Sequence, residues 1–125
     1  SGVTNGRASA TSAWVYGLQQ NAESRSNLAL INTGEIDAST DTFRIELFDG
    51  ATGAKVNTVE GVSVGAKGFT QIGTILAQYA AGTTQGYAHV TRISGNNPFI
   101  AYGVINDGAS PGERTGDGAF VVSVE

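Results

Sequence analysis

The chain has no cysteine and no methionine, and only one histidine, one tryptophan and two prolines in 125 residues. The missing cysteine excludes a disulfide framework and any thiolate chemistry. It does not assign the chain to the cytosol, because a domain of this length can bury a core without cross-links. With a single imidazole and no thiol, the chain cannot assemble the several nitrogen or sulfur donors of a zinc or copper site. Charged residues are scarce as well, at 14% against about a quarter in ordinary domains. The basic ones are Arg7, Arg25, Arg44, Lys55, Lys67, Arg92 and Arg114, scattered along the chain. They form no stripe that would neutralise a phosphate backbone, so nucleic acid is not an expected partner. No apolar run reaches the roughly 20 residues needed to span a bilayer as a helix. With no methionine and Ser1 in first place, the expectation is a chain trimmed from a longer one, by signal-peptide removal or at a domain boundary.

What the chain has in abundance is glycine, 18 residues of it, together with serine, threonine and β-branched residues. That is the composition of short strands joined by tight turns. Thr42–Phe48 alternates cleanly, with Phe43, Ile45 and Leu47 on one face and Thr42, Arg44 and Glu46 on the other. This is a half-buried strand. Asp49–Gly53 has the turn chemistry of a hairpin loop, and Lys55–Val59 is its return strand, followed by a separate short stretch around Val62 and Val64. Gly86–Ile93 alternates again. Asn27–Asn32 and Phe99–Ile105 are apolar on both faces and are expected at the centre of a sheet, either one in each sheet or side by side in one. Thr74–Ala81 is the one helix expected, about two turns long and stopped by Gly82.

These elements predict an all-β fold, a two-sheet antiparallel sandwich of immunoglobulin-like or jelly-roll-like kind. It would have seven to nine strands and one short helix near 74–81. Residues 13–125 form the single sandwich domain, and residues 1–12 an extended N-terminal segment, an edge or donated strand. The expected core is Trp14, Leu28, Leu30, Phe43, Leu47, Val90, Phe99, Ala101 and Val104.

Four segments carry a resemblance. They are Arg25, Asn27, Leu28, Leu30 and Asn32; then Leu47, Asp49 and Gly53; then Gly68, Gln71 and Ile72; and then Gly86, Tyr87, Ala88 and Val90 with Ala101, Tyr102, Val104 and Asp107. In that order they resemble a family of uncharacterised bacterial modules found, often in tandem, in large secreted and surface proteins. The resemblance covers roughly three quarters of the chain and departs at both ends. It implies an immunoglobulin-like sandwich in an extracellular setting, and it implies no activity.

The candidate sites are few. His89 stands alone, and no Gly-x-Ser-x-Gly elbow aims a serine at it, so no catalytic residue and no cofactor site is expected. Asp37, Asp49, Asp107 and Asp117 sit in turn-like stretches. Asp107 and Asp117, in the most polar loop, are weak candidates for structural calcium. Lys55 and Lys67 look solvated, which disfavours an internal Lys–Asn cross-link. Tyr16, Tyr79, Tyr87, Tyr102 and Trp14 are the candidates for a glycan-stacking face, with Tyr16, Tyr87 and Tyr102 foremost, weighed against ordinary packing of Tyr87 and Tyr102 in the core. Val3 and Arg7 near one end, and Phe120 and Val122 near the other, are candidates for strand pairing with a neighbouring copy. The expected function is that of a non-catalytic extracellular module of a bacterial surface: a filament subunit, adhesin part or spacer. Its partners would be copies of itself or adjacent modules. The alternative is a carbohydrate-binding module, and a glycan-acting enzyme is the remote one.

Overall fold

The computed structural model describes residues 11–21, 24–107, 119–121 and 123–124, with the backbone alone for 106–107 and from 119 onward. The described elements are β1 (Ser12–Gln19), β2 (Ser24–Asn32), β3 (Asp41–Asp49), β4 (Lys55–Val64), β5 (Phe69–Ile72), α1 (Ile75–Tyr79), β6 (Gln85–Ser94), β7 (Phe99–Asp107), β8 (Ala119–Val121) and β9 (Ser123–Val124). They form a five-stranded sheet in the order β4-β3-β6-β1-β9 and a four-stranded sheet in the order β5-β2-β7-β8. Every strand pair is antiparallel. The fold is the two-sheet sandwich expected from the sequence.

The two doubly apolar segments lie side by side. β2 and β7 pair in unbroken register from Ser24 against Asp107 to Asn32 against Phe99. Each has a strand on its other edge as well; Leu28, Leu30, Phe99 and Ala101 face the core, and the outward Ile31, Ile100 and Tyr102 are half-buried. Phe43 from one sheet meets Phe99 from the other edge-on, with ring centroids 4.7 Å apart at 62°. Leu18, Ile45, Leu47 and Val90 fill the space between the sheets from one side, Leu28 and Leu30 from the other, all with no exposed surface. Full burial of each such side chain contributes roughly 1.5–3 kcal/mol. Ile75 and Leu76 of α1 belong to the same core.

The helix is shorter than the expected 74–81. Thr74 adopts a left-handed conformation at φ 42°, held by its N–H donating to Asn27 Oδ1 at 2.8 Å. The helical turn closes through Ala80 N–H to Leu76 O, and the chain then turns at Gly82. The return strand after the hairpin is longer than expected. Lys55–Val64 is one strand, interrupted by a bulge that sets Glu60 and Gly61 against Arg44. The extra residue shifts the alternation by one, so a strict period of two assigns Val62 to a separate strand. Two of the expected core residues are placed elsewhere. Val104 is half-buried, and Trp14 lies on the outside of the five-stranded sheet.

Two buried asparagines hold the loop between β2 and β3. Asn32 donates from Nδ2 to Ser39 O at 3.1 Å and to Val64 O at 2.9 Å, and accepts from Gly34 N–H. Asn97 accepts at Oδ1 from Ile36 and Asp37 N–H, and donates from Nδ2 to Asp37 O and Ser39 O. Its own N–H donates to Asp41 Oδ1, and Arg92 donates to its carbonyl. Asp41 is fully buried, and its other carboxylate oxygen has no partner among the described residues. Burial pushes its carboxyl above the usual aspartate value, against the opposing pull of Asn97 N–H and the Arg92 charge.

Replacing Asn97 with alanine strands several loop amides and carbonyls at once. Asn97→Ala is expected to lower unfolding stability by about 2–4 kcal/mol, whereas exposed Asn96→Ala costs under about 1 kcal/mol. Urea midpoints of the two variants measure the contrast; equal losses would show that Asn97 does not organise the loop.

Candidate functional site

The outer face of the five-stranded sheet carries a block of aromatic rings. Its origin is strand parity. In β3, the inward set Phe43, Ile45 and Leu47 leaves Glu46 and Phe48 on the outside. In β6, inward Ala88 and Val90 leave Tyr87 and His89 outside. In β1, inward Ala13 and Val15 leave Trp14 and Tyr16 outside. The three strands are neighbours, so the outward residues form two rows across the sheet.

One row is Phe48, Tyr87 and Tyr16. Phe48 and Tyr87 are in register across β3 and β6, with centroids 5.1 Å apart and planes 8° from parallel. Tyr16 and Tyr87 follow at 5.4 Å and 33°. The other row is Glu46, His89 and Trp14, again in register. Trp14 stacks on the His89 ring at 4.2 Å and 20°, and its ring lies 5.8 Å from Phe48 and 6.0 Å from Tyr87. At these separations near-parallel rings overlap in offset stacks. They use much of their faces on one another. The ring left most open is Tyr16, at the end of its row and 45% exposed.

The polar members are tied together. Glu46 accepts from Lys55 Nζ at Oε2 and from His89 Nδ1 at Oε1, both at 3.2 Å. An ionised carboxylate cannot donate, so the Nδ1 proton belongs to His89. The hydrogen bond from His89 holds the Glu46 carboxyl below its ordinary value, helped by Lys55 and opposed by desolvation. On this face the Lys55 and Glu46 charges balance.

Beside the rings, β1 is irregular. Val15 pairs with Ala88 and Leu18 with Gly86, so Tyr16 and Gly17 together oppose Tyr87. Gly17 takes φ 80°, the left-handed conformation that a glycine bulge requires. The bulge lets Leu18 return to the core and turns both Tyr16 and Gly17 outward. Next to it is an open cleft of about 240 Å³, walled by Tyr16 and Tyr87 and bordered by Gln19 and Gln85.

Of the residues expected to stack on glycans, Tyr16 and Tyr87 are thus brought together, and on the outside rather than in the core. Tyr102 is half-buried on β7, in the other sheet. Trp14, expected both as core and as a stacking candidate, joins Tyr16 and Tyr87 on the outside, and Tyr79 lies at the end of α1; Phe48, Gln19 and Gln85 are not among the expected residues. The signal was present: Trp14 and Tyr16 share parity on β1, as do Tyr87 and His89 on β6, and Phe48 follows Glu46 on β3. The strand-pairing candidate Phe120 lies in β8, opposite Val104 of the same chain. Val3, Arg7 and Val122 lie outside the described residues, as does the calcium candidate Asp117; of Asp107, at the end of β7, only the backbone is described. Among the described residues, no three His, Cys, Asp or Glu side chains lie close enough to share a metal ion. Asp37 and Asp49 do turn work: Asp37 accepts from Ser39 N–H and from Asn96, and Asp49 from Ala51 N–H. Lys55 is half-exposed.

Comparison of the chain with protein-family models, with curated proteins and with solved structures found no match.

The Glu46 carboxyl is depressed, so its contribution to stability is present above its ordinary value of 4.5 and lost as the pH falls through the lower folded value. Glu46→Gln is expected to remove that acid-side loss. The group is partly solvated, so the difference at neutral pH is under about 1 kcal/mol. Urea titrations between about pH 2.5 and 7 measure it; identical pH slopes in the two proteins would show that the Lys55–Glu46–His89 chain carries no energy.

Proposed function

We propose that the domain is a non-catalytic module of a bacterial extracellular surface, and that it acts by holding a partner against the outer face of its five-stranded sheet. The observation that carries this reading is the block formed by Trp14, Tyr16, Phe48, Tyr87 and His89 outside the core. Large rings on a solvent face serve the fold little, and they are the side chains that supply most energy at contact surfaces. Glu46, Asp37 and Asp49 are already engaged. Both oxygens of Glu46 are taken by Lys55 and His89, and Asp37 and Asp49 close turns. The extracellular, bacterial setting rests on the low charge content, the Gly- and Thr-rich strands and the four-segment resemblance.

A second reading, contact between copies as in a filament, is favoured by the C-terminal strands. β8 pairs with β7 over three residues, and β9 pairs with β1 over two. Strands this short are held by few backbone bonds and are candidates for exchange onto the matching edge of another copy.

Trp14 is the chain's single tryptophan and sits within the aromatic block, so its emission reports on that face. Titration with extracellular polymers of different classes (neutral polysaccharide, anionic polysaccharide, matrix protein) is expected to give a saturable change with one class, weakened in Tyr16→Ala. No change with any class would contradict the contact reading. For exchange, cysteines at the paired positions in Val104→Cys/Phe120→Cys, in a chain free of native cysteine, lock β8 in place when oxidised. Polymers on electron micrographs of the reduced protein, lost on oxidation, are expected if copies exchange β8. The same particles in both states would exclude it.

A further inference from the structure

The cleft beside the β1 bulge has the chemistry of a sugar subsite. Its surface includes three glycines, Gly17, Gly50 and Gly86. Side chains there would fill or distort it. A Cβ on Gly86 would point to the core side, 2.5 Å from Phe48 O and 3.4 Å from Leu76 Cδ2, and would push β6 away from β3 beneath the cleft; one on Gly50 would lie 3.3 Å from the Gln85 side chain. At Gly17 and Gly50 the missing side chains leave backbone bare beside the cleft, and at Gly86 the absence lets β6 pack closely on β3. The bulge adds the second device: it widens β1 at this point and re-aims Tyr16 outward, as bulges next to binding sites do.

Two kinds of surface meet there. Tyr16, 45% exposed, presents an open aromatic wall, the kind of surface on which the C–H faces of a pyranose ring pack, while Tyr87, flanked by Phe48 and Tyr16, borders the cleft. Gln19 and Gln85 present amides, each with two donors and a two-lone-pair acceptor. Among the described residues neither amide side chain is committed to a hydrogen bond. A ligand that satisfies both surfaces has apolar C–H faces and a rim of groups that donate and accept, which is a hydroxylated ring. The cleft, at about 240 Å³, lies below the range of drug-sized sites and suits one ring. Neither Lys nor Arg, nor Asp nor Glu, lines it. The nearby charged pair, Lys55 and Glu46, is satisfied internally. A charged ligand would find no counter-charge and would lose solvation.

We propose that the cleft beside Tyr16, bordered by Gln19 and Gln85, binds a neutral pyranose unit of an extracellular polysaccharide. Tyr16 stacks on the ring, and Gln19 and Gln85 take its hydroxyls. This rests on the contact reading above, and it names the class of partner.

Calorimetry of the full chain with cellohexaose, xylohexaose and chitohexaose, and with an alginate hexamer as the anionic comparison, tests it. Saturable binding of at least one neutral hexamer is expected, weakened at least about tenfold by Tyr16→Ala and by Gln85→Ala. Tyr102→Ala, on the opposite sheet, leaves it unchanged. All three substitutions are on the surface or half-buried, and circular dichroism checks their folding. Binding of alginate alone overturns the neutral-sugar subsite, as does a loss shared equally by Tyr102→Ala. No binding of any hexamer, alongside a Trp14 response to a protein polymer, overturns the subsite but leaves the contact reading in place. Silence in both assays removes both.

Discussion

Side chains along a strand alternate with a period of two, and β1 breaks that rule at one point. Ala13 and Val15 face the core; strict alternation would send Gly17 inward next and leave Leu18 in solvent. Setting Tyr16 and Gly17 together against Tyr87 repairs this. Leu18 reaches the core, where it has no exposed surface, and its burial contributes about 1.5–3 kcal/mol. The side effect is on the other face. Tyr16 projects at the end of the aromatic row, Gly17 bares the backbone, and the cleft opens between β1 and β6. Only a residue at ease with φ 80° can occupy the turning point. The candidate site is therefore a consequence of how the core is completed.

A second constraint works at the end of the sandwich where β2 passes into β3. The connection from Thr33 to Thr40 has little regular pairing, yet its backbone groups find partners in two asparagine side chains. An amide side chain both donates and accepts, so Asn32 and Asn97 can stand in for a neighbouring strand. Asn27 does similar work for the left-handed residue that opens α1. Asn27 and Asn32 belong to the bacterial-module resemblance, and in this structure their role is to hold loops. The resemblance thus concerns scaffold more than site, for the aromatic block draws on Trp14, Tyr16 and Phe48, which it does not include.

The elements that could be read in the sequence are those whose residues obey one period throughout. Thr42–Phe48 alternates without a break and is a strand with the expected faces. Asn27–Asn32 and Phe99–Ile105 are apolar on both sides and are central and adjacent. The Asp49–Gly53 turn closes as its residues suggest, with Asp49 accepting from Ala51 N–H. What could not be read lies where a bulge changes phase or where partners are distant in sequence. Trp14 reads as a core residue, because a large ring in an apolar stretch normally is one, and also as a member of a stacking face. Its outward position follows from Ala13 and Val15 taking the core side. Tyr16 and Tyr87 are 71 positions apart, and their meeting depends on β1 lying beside β6, a choice of neighbour that alternation does not encode. Tyr102 has the same residue type and a similar strand context, but β7 belongs to the other sheet.

The bulge-side cleft, and not another part of the surface, is the proposed receptor for a hydroxylated ring. Amide-resolved NMR of the full chain during titration with a neutral hexasaccharide tests it most directly. The expected result is a set of shift changes centred on Gly17, Gln19, Gln85 and Gly86, with the Trp14 indole moving less and the β2–β7 amides unchanged. Changes centred on the four-stranded sheet, or spread evenly over the domain, would contradict it.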